Sequence, residues 1–221
     1  MSAARRTRVL VLGAGGHASV VADSVLRAAE AGEPLELVGF LDDSSDLHGT
    51  EVLGRPVLGP IDLVGGVEHD VLVAAIGDNR ARAELVARLG ARGVAPLLTV
   101  IHPTAVIAPD VRIGAGSMIS AAVVINTGTV IGENVIANTG CTVDHHCRIG
   151  DFAHIGPGAH LGGNVTVGEG ALVGIGSAVA PGRSIGDWSI IGAGAAVVDS
   201  VADNVTAVGV PARSRPGDRG G

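Results

Sequence analysis

A six-residue period dominates the second half of the chain and constrains its fold more than any other feature of the sequence. Every sixth residue from Ile107 to Val197 is aliphatic, and fifteen of these sixteen positions hold Ile, Leu or Val, with Ala137 as the exception. The residue that follows is often glycine, and the fourth residue after each anchor is usually small or apolar. A six-residue period with aliphatic anchors is typical of a parallel β-helix.

In such a β-helix each hexad supplies one short strand and one corner, and three hexads close a triangular coil, so equivalent residues stack about every 18 positions. The pattern predicts a smooth prism of about five coils, and a three-sided prism suits cyclic symmetry, so we expect a homotrimer. With two Phe, one Trp and no Tyr, the core must be built from Val, Ile, Leu and Ala. Cys141 and Cys147 take the small inward position and are expected in the core, not in a disulfide framework.

The first 98 residues follow a different pattern, in which aliphatic runs alternate with amphipathic segments. The predicted elements are a strand at Val9–Leu12, a helix at Ala18–Ala31, strands at Leu35–Leu41 and Asp70–Ile76, a helix at Arg80–Leu89 and a strand at Ala95–Val100. This order predicts a small, doubly wound, Rossmann-like α/β domain. We therefore divide the chain into an α/β domain at 1–98, a β-helix domain at 99–213 and a tail at 214–221.

Composition excludes several classes of protein. Every basic residue is Arg, so the chain has no Schiff-base lysine and no lysine of the ordinary P-loop type. A formal net charge of -7 with no long run of Arg argues against nucleic-acid binding. The apolar run behind the basic N-terminus is too short for a signal peptide or a membrane span, so we expect a cytoplasmic protein.

A glycine-rich turn follows the first predicted strand. Gly13, Gly15 and Ala18 formally match the dinucleotide-binding fingerprint, and Asp42 ends the second strand as a ribose-binding acid would. A domain of this length lacks the second nucleotide-binding half, however. The sequence therefore favours a pocket for a nucleotide phosphate or nucleotide sugar, formed by residues 13–17, 42–43 and 77–79 at strand and helix ends. A glycine turn that serves packing alone is the alternative.

Four of the eight histidines lie in one window of the β-helix: His145, His146, His154 and His160. The hexad register places His145 at a corner and puts His154 and His160 at outward positions of two neighbouring faces. Packing of a β-helix requires none of these side chains. An outward histidine in a groove between subunits can act as a general base. Ordinary surface histidines and a zinc site made of three imidazoles are the alternatives.

Six segments of the chain together resemble one family of enzymes. They are Val-Leu-Gly-Ala-Gly-Gly-His17, Phe-Leu-Asp-Asp43, Ala-Ile-Gly-Asp-Asn79, Ile-His-Pro103, the window 138–158 and Gly209-Val-Pro-Ala-Arg213. With them the chain resembles the bacterial sugar acyltransferases of the left-handed β-helix class. It is most similar to the UDP-4-amino-sugar N-acetyltransferases and the related sialic-acid O-acetyltransferases. The left-handed coiling is taken from this resemblance, since periodicity does not give the hand.

The resemblance implies a division of roles between the two domains. The N-terminal domain would bind the nucleotide sugar through Gly15, Gly16, His17, Asp42, Asp43 and Gly77. The β-helix domain would bind acetyl-CoA in a groove between adjacent subunits, with the pantetheine channel lined by Gly163, Ile175 and Ala193. His145 matches the general base of the family, and His154 matches a histidine that contacts the thioester region of acetyl-CoA.

One position departs from the family pattern. The residue after the base is usually Glu or Asp in the family, where it orients the imidazole, and here it is His146. A second imidazole cannot supply negative charge. Either His146 assists the base as a neutral hydrogen-bond partner, or another carboxylate such as Asp151 compensates. Asp144 precedes the base, but neighbours in an extended chain point apart.

The resemblance therefore implies an acetyl-CoA-dependent acetyltransferase that acts on the amine of a UDP-linked amino sugar in bacterial surface-glycan synthesis. His145, assisted by His146, would deprotonate the acceptor as it attacks the thioester directly, with no metal and no covalent enzyme intermediate. O-acetylation of a sialic-acid-like sugar, a zinc-dependent β-helix lyase and a trimeric scaffold with a degenerate site are the alternatives. A sugar-nucleotide pyrophosphorylase would need a larger N-terminal domain and a catalytic Lys.

Overall fold

The computed structural model describes residues 5–93 and 97–215, and the chain divides into two compact units after Pro103. The elements of the first unit are β1 (Thr7–Leu12), α1 (Gly16–Glu30), β2 (Leu35–Leu41), 3₁₀ helices at Ser45–Leu47 and Ile61–Gly66, β3 (Glu51–Val52), β4 (Arg55–Pro56), β5 (Val71–Ala74), α2 (Asn79–Ala91) and β6 (Val100–Ile101). Three of the strands form a parallel sheet in the order β2-β1-β5, as expected for the predicted α/β domain.

Two predicted segments extend beyond the described residues. Of the strand predicted at Ala95–Val100, residues 95 and 96 are outside the described part, while Leu97 forms an isolated parallel bridge with Leu72. Residues 216–221 of the predicted tail are likewise outside it.

Aliphatic side chains cover both faces of the sheet in the first unit. All four residues from Val9 to Leu12 are fully buried, as continuous apolar runs in parallel sheets usually are. Helix α1 packs against β2, and α2 adds Leu85 and Leu89 to a core that also contains Leu10 and Leu12. Burial on both faces places the polar residues of this unit at the ends of its strands.

Two-residue strands separated by four-residue corners form most of the second unit. In chain order these strands are β7 (Val106–Ile107), β8 (Arg112–Ile113), β9 (Met118–Ile119), β10 (Val124–Ile125), β11 (Val130–Ile131), β12 (Ile136–Ala137), β13 (Thr142–Val143), β14 (Arg148–Ile149), β15 (His154–Ile155), β16 (His160–Leu161), β17 (Thr166–Val167), β18 (Leu172–Val173), β19 (Ala178–Val179), β20 (Ser184–Ile185), β21 (Ile190–Ile191), β22 (Ala196–Val197), β23 (Thr206–Val208) and β24 (Arg213–Ser214).

Every third strand lies on the same face, so the second unit is a triangular solenoid. The first face runs β7-β10-β13-β16-β19-β22, the second runs β8-β11-β14-β17-β20, and the third runs β9-β12-β15-β18-β21-β23 and ends in the antiparallel β24. Val124 pairs with Val106 on one side and with Thr142 on the other, at the predicted separation of three hexads.

The solenoid has about six coils rather than the predicted five, because its first face holds six strands. The last coil does not follow the strict six-residue period. Ile190 pairs with Thr206, which is two residues closer in sequence than the regular spacing. The end of the solenoid therefore lies further along the chain than the period indicated.

The predicted anchors fill the interior of the solenoid as stacked ladders. Ile125, Val143 and Ile155 are each at most 1% exposed, and the small fourth position of each hexad is buried beside them. Cys141 and Cys147 are fully buried free thiols, which confirms their predicted place in the core. Burial raises the pKa of the Cys141 thiol to about 12, so this sulfur is an inert part of the packing.

Corner glycines meet two different physical requirements. Between Gly116 and Gly194 the third residue after each anchor adopts a left-handed conformation, for example Gly158 with a φ of 61°. The glycine directly after an anchor lies outside that region. A Cβ on Gly150 would nevertheless lie 2.6 Å from the backbone nitrogen of Glu169 in the next coil. At this first position the reason for glycine is therefore the close approach of successive coils rather than the backbone angle.

Replacing Gly150 by alanine should lower the free energy of unfolding by about 1–3 kcal/mol, because the added methyl group forces two coils apart. Gly158→Asn is the matched control, since asparagine at 134, 164 and 204 already adopts this backbone conformation. Its effect should stay within about 0.5 kcal/mol. Urea unfolding followed by circular dichroism measures both, and equal losses would contradict the distinction.

His17 is largely enclosed in the first turn of α1. A Cβ on Gly77 would lie 3.6 Å from the Cβ of His17, so the two residues are close neighbours. Burial, and secondarily the positive charge of Arg82, lower the pKa of His17 from 6.5 to about 4. His17 is therefore a neutral imidazole at pH 7.

This lowered pKa couples folding to pH. The unfolded chain takes up a proton at His17 near pH 6.5 and the folded chain only near pH 4, so the fold loses stability as the pH falls through that window. The loss from this group should reach about 2 kcal/mol at pH 5. His17→Gln removes the titrating group, and its free energy of unfolding should fall less between pH 7 and pH 5. Identical pH dependence in urea unfolding of the two proteins would refute the assignment.

Candidate functional site

The polar end of the first unit is centred on the N-terminus of α1. Gly15 caps the helix and Gly16 begins it, and a Cβ on either would have no heavy atom within 4 Å. Gly13 adopts a φ of 103°, and a Cβ there would lie 2.9 Å from the carbonyl oxygen of Ala75. The turn therefore brings backbone N–H groups to an open surface, which is an arrangement suited to anions.

Asp42 and Asp43 hold this end of the unit together. Asp42 Oδ2 accepts a hydrogen bond from the backbone N–H of Ala14 at 2.7 Å, and its Oδ1 accepts one from Ser44 at 2.8 Å. Asp43 Oδ1 accepts from the N–H of Ile61 at 2.9 Å. Both carboxylate oxygens of Asp42 accept hydrogen bonds from the backbone. In this structure Asp42 therefore stabilises the glycine turn, whereas the sequence suggested a ribose-binding role.

Arg82 is a residue of this site that the sequence did not reveal. Its side chain is fully buried, and its guanidinium donates hydrogen bonds to the carbonyl oxygen of Ile76 at 2.8 Å and to Asn79 Oδ1 at 2.9 Å. It fixes the loop between β5 and α2, which contains Gly77, and places a positive charge near His17. On sequence alone an arginine in an amphipathic helix is assigned to the solvent face.

A cavity of about 380 Å³ opens beside the same loop. It is lined by Asp43, Ile61, Ile76, Ala81, Glu84, Leu85 and Arg88. The guanidinium of Arg88 lies 3.6 Å from the carboxylate of Asp43 at its edge. An apolar floor with a few charged groups at the rim is the usual composition of a small-molecule site.

In the solenoid, His145 lies at the corner that follows β13, in a column with Thr127 one coil before and Gly163 one coil after. The His145 ring lies over Gly163, since a Cβ there would be 2.5 Å from Nε2. Any side chain at 163 would displace the imidazole. The structure thus brings the predicted base next to a residue predicted for the pantetheine channel.

His145 and His146 contact each other through their rings. Their Nδ1 atoms are 3.1 Å apart, and the rings meet edge to face with centroids 5.2 Å apart. One Nδ1 must carry the proton and the other must accept it. Both side chains are exposed, so the pair is open to a substrate.

A second column contains His146, with Gly128 one coil before it and Asp110 one coil before that. His146 has a left-handed φ of 59°, and its ring lies over Gly128, where a Cβ would be 2.7 Å from Cδ2 and 3.0 Å from Nε2. Asp110 Oδ2 accepts hydrogen bonds from the Thr127 hydroxyl and from the N–H of Gly128, both at 2.8 Å. These bonds, with a smaller contribution from His146, lower the pKa of Asp110.

Asp144 and Asp151, the two other carboxylates considered in the sequence analysis, form different hydrogen bonds. Asp144 Oδ1 accepts hydrogen bonds from the backbone N–H of His145 at 2.8 Å and from Asn126 Nδ2 at 2.9 Å, and these bonds lower the pKa of Asp144. Asp151, considered from the sequence as a substitute for the family carboxylate, lies at the corner after the second face. There it accepts the N–H of Glu133 at 2.8 Å, so within one chain it lies at a different corner from His145.

The remaining histidines of the window lie on different faces. His154 is on the third face, where Asn138 Nδ2 donates to its Nε2 at 3.0 Å. His160 is on the first face, and a hydrogen bond of 2.9 Å joins its Nδ1 to the hydroxyl of Thr142. Ile175 and Ala193 are exposed at the corner after the third face. Within one chain, then, Gly163 accompanies His145, whereas Ile175 and Ala193 lie at another corner.

Metal-binding clusters and membrane-spanning helices are both absent from residues 5–93 and 97–215. No group of three or more His, Cys, Asp or Glu side chains gathers there in a way that could hold a metal ion. In the same part of the chain no helix is long and apolar enough to cross a membrane.

Two family profiles match the chain. The PglD N-terminal domain matches residues 8–89, and the bacterial transferase hexapeptide (six repeats) matches residues 128–163. Among curated proteins, the UDP-N-acetylbacillosamine N-acetyltransferase of Bacillus subtilis is 38% identical over 112 residues. That match covers 50% of this chain and spans only half the length of the relative.

Solved structures match over almost the whole chain. PerB from Caulobacter crescentus, in complex with CoA and GDP-perosamine, is 40% identical, with 94% of this chain and 96% of that chain covered and a TM-score of 0.86. The acetyltransferase domain of PglB from Neisseria gonorrhoeae, in complex with acetyl coenzyme A, is 37% identical, with 95% and 100% covered and a TM-score of 0.86. The Caulobacter enzyme has also been solved as two variants, with a histidine replaced by asparagine or by alanine.

These similarities agree with the two-unit architecture. The match to PerB extends over nearly the full length of both proteins, and the two family profiles fall on the two units separately. The chain therefore belongs to the family of sugar N-acetyltransferases that join a PglD-type N-terminal domain to a left-handed β-helix of hexapeptide repeats.

Proposed function

We propose that the chain transfers the acetyl group of acetyl-CoA to the amine of a nucleotide-linked amino sugar, with His145 as the general base. The observation that carries this proposal is the exposed pair of imidazoles at 145 and 146, with the bare Cα of Gly163 beside Nε2 of His145. PerB, which is similar over almost its full length, was solved with CoA and GDP-perosamine, and this supports the substrate class.

The chemistry follows from an exposed imidazole whose Nε2 can accept a proton. As the amine nitrogen of the sugar attacks the thioester carbonyl, Nε2 of His145 takes one proton from that nitrogen. A tetrahedral oxyanion forms and collapses, and the C–S bond breaks to release CoA as a thiolate, which takes the proton held on Nε2 of His145. The buried thiols of Cys141 and Cys147 take no part, so transfer is direct.

The first unit is proposed to hold the nucleotide part of the acceptor. The N-terminus of α1 at Gly15 and Gly16 would bind the phosphates, with neutral His17 and the loop at Gly77 beside them. The cavity lined by Ile61 and its neighbours would take the base or the ribose. Because the Asp42 carboxylate is hydrogen-bonded to the backbone, it would assist nucleotide binding indirectly, by fixing the conformation of the glycine turn.

Two nucleotides are candidates for this site. The motif resemblance points to a UDP-linked 4-amino sugar, and the Bacillus relative carries UDP in its name. A GDP-linked 4-amino sugar is the second candidate, which the PerB complex favours. Both place a primary amine on a nucleotide-linked sugar, so the transferred group and the proposed base are the same.

The proposed binding residues for acetyl-CoA favour a homotrimer. Gly163 lies beneath His145 at one corner of the prism, whereas Ile175 and Ala193 lie at another, and His154 lies on a face between corners. A single groove lined by all four would combine corners of neighbouring subunits, as cyclic packing of a three-sided prism allows. We further propose a cytoplasmic location.

The function is tested by release of CoA thiol from acetyl-CoA in the presence of UDP- and GDP-linked 4-amino sugars and free sialic acid. We expect release with an amino-sugar nucleotide, and His145→Ala should lower kcat by about 10²–10⁴-fold because the general base is lost. His160→Ala is the matched control, since it removes an exposed histidine bonded to Thr142. Full activity of His145→Ala, or release with sialic acid alone, would overturn the proposal.

The trimer is tested separately by analytical ultracentrifugation. A chain of 21.8 kDa should sediment as a single species of about 65 kDa. A species of one or two chains that is fully active would show that the acetyl-CoA groove does not need three subunits.

A further inference from the structure

The contact between the two imidazoles does not by itself determine which ring carries the shared proton. The 3.1 Å contact between the two Nδ1 atoms can form with the proton on either ring. If His146 donates, neutral His145 carries its own proton on Nε2 and cannot act as a base there. If His145 donates, its Nε2 has the free lone pair, and His146 must then carry its proton on Nε2. Catalysis therefore requires something that holds a proton on Nε2 of His146.

The Asp110 carboxylate lies in the column of His146, on the side towards which the His146 ring is tilted. It binds the N–H of Gly128 through Oδ2 at 2.8 Å, and the Nε2–Cδ2 edge of His146 lies over the Cα of the same glycine. Gly128 is thus the only residue between the two side chains in their column. Both hydrogen bonds from the neighbouring coil end on Oδ2, and a carboxylate has about four acceptor positions, so capacity remains for an imidazole N–H.

We propose that Asp110 is a positioning residue, which accepts a hydrogen bond from Nε2–H of His146 and so commits Nδ1–H of His145 to His146. The inference rests on the proposed function of His145. The order of groups is then carboxylate, His146, His145 and acceptor amine. When His145 takes the proton of the amine, its positive charge faces His146 Nδ1 and, beyond it, the negative charge of Asp110. No proton needs to reach Asp110 itself.

Accepting backbone N–H groups of a neighbouring coil is a structural role that does not require a histidine in the same column. Asp151 and Asp187 also accept backbone N–H groups of a neighbouring coil, from Glu133 at 2.8 Å and from Glu169 at 2.9 Å, with no histidine in their column. Asp144 faces His145 from the backbone side and is held by Asn126. Asp110 is the carboxylate that shares a column with His146.

The decisive variant is Asp110→Asn. The amide oxygen can keep both hydrogen bonds that end on Oδ2, while the amide nitrogen presents donors to His146 instead of an acceptor. We expect kcat to fall by about tenfold, which is less than the loss expected when the base itself is removed. KM for both substrates should stay within about twofold of wild type. Asp187→Asn is the matched control, because it removes an equivalent corner carboxylate, and it should leave kcat unchanged.

A second background separates positioning from structure. His146→Asp places a carboxylate directly after the base, at a backbone conformation that aspartate tolerates. In that background Asp110→Asn should change kcat by less than about twofold, because the relay through His146 is gone. An equal fall in both backgrounds would show that Asp110 acts only on the fold and would overturn the proposal.

The proton positions are read directly by ¹⁵N NMR of histidine-labelled protein, which distinguishes the two neutral tautomers without any substrate. The His146 signals are assigned by their loss in His146→Asn. We expect the Nε2–H form of His146 in the wild type and a shift towards Nδ1–H in Asp110→Asn. An unchanged tautomer, or a kcat of Asp110→Asn within about twofold of wild type, would overturn the inference. If no sugar nucleotide is acetylated, the tautomer shift alone still decides the placement of Asp110.

Discussion

The close approach of one coil to the next is the constraint on which the rest of the second unit depends. Strands of two residues make very few hydrogen bonds, so each face is stable only because the same contacts repeat along the whole stack. That repetition requires a bare Cα wherever backbones nearly touch, as at Gly150. It also requires equivalent residues of successive coils to stack. Residues 18 positions apart in the sequence are therefore neighbours in space.

The proposed catalytic groups use that geometry directly. His145 rests on Gly163 in the following coil, and His146 rests on Gly128 in the preceding coil, so two glycines give the imidazoles their places. The same backbone contacts that stabilise the solenoid thus shape an open polar corner. The first unit follows another logic: a fully buried sheet forces polar groups to strand ends, where buried Arg82 supports the loop that carries Gly77.

Much of this could be predicted from the sequence, for identifiable reasons. The position of His145 at a corner follows from its distance to Val143, because hexad position is a simple count along the chain. The alignment of Asp110 with His146 was available from the same count. What the count could not supply was the tilt of the His146 ring towards the earlier coil. The use of both Asp42 oxygens by the backbone and the burial of Arg82 depend on three-dimensional contacts that local patterns do not encode.

The left-handed backbone at His146 favours some side chains over others, although Ala122, Phe152 and Trp188 also adopt it at equivalent corners. Glycine, asparagine, aspartate and histidine are the residues that tolerate such a conformation best. Of these four, aspartate brings charge to the base but is short, and asparagine is short and neutral. Histidine alone combines conformational tolerance with a ring long enough to span a coil. If Asp110 acts as proposed, histidine at 146 would connect the base to a carboxylate of a neighbouring coil, a reach that aspartate or asparagine at this position would lack.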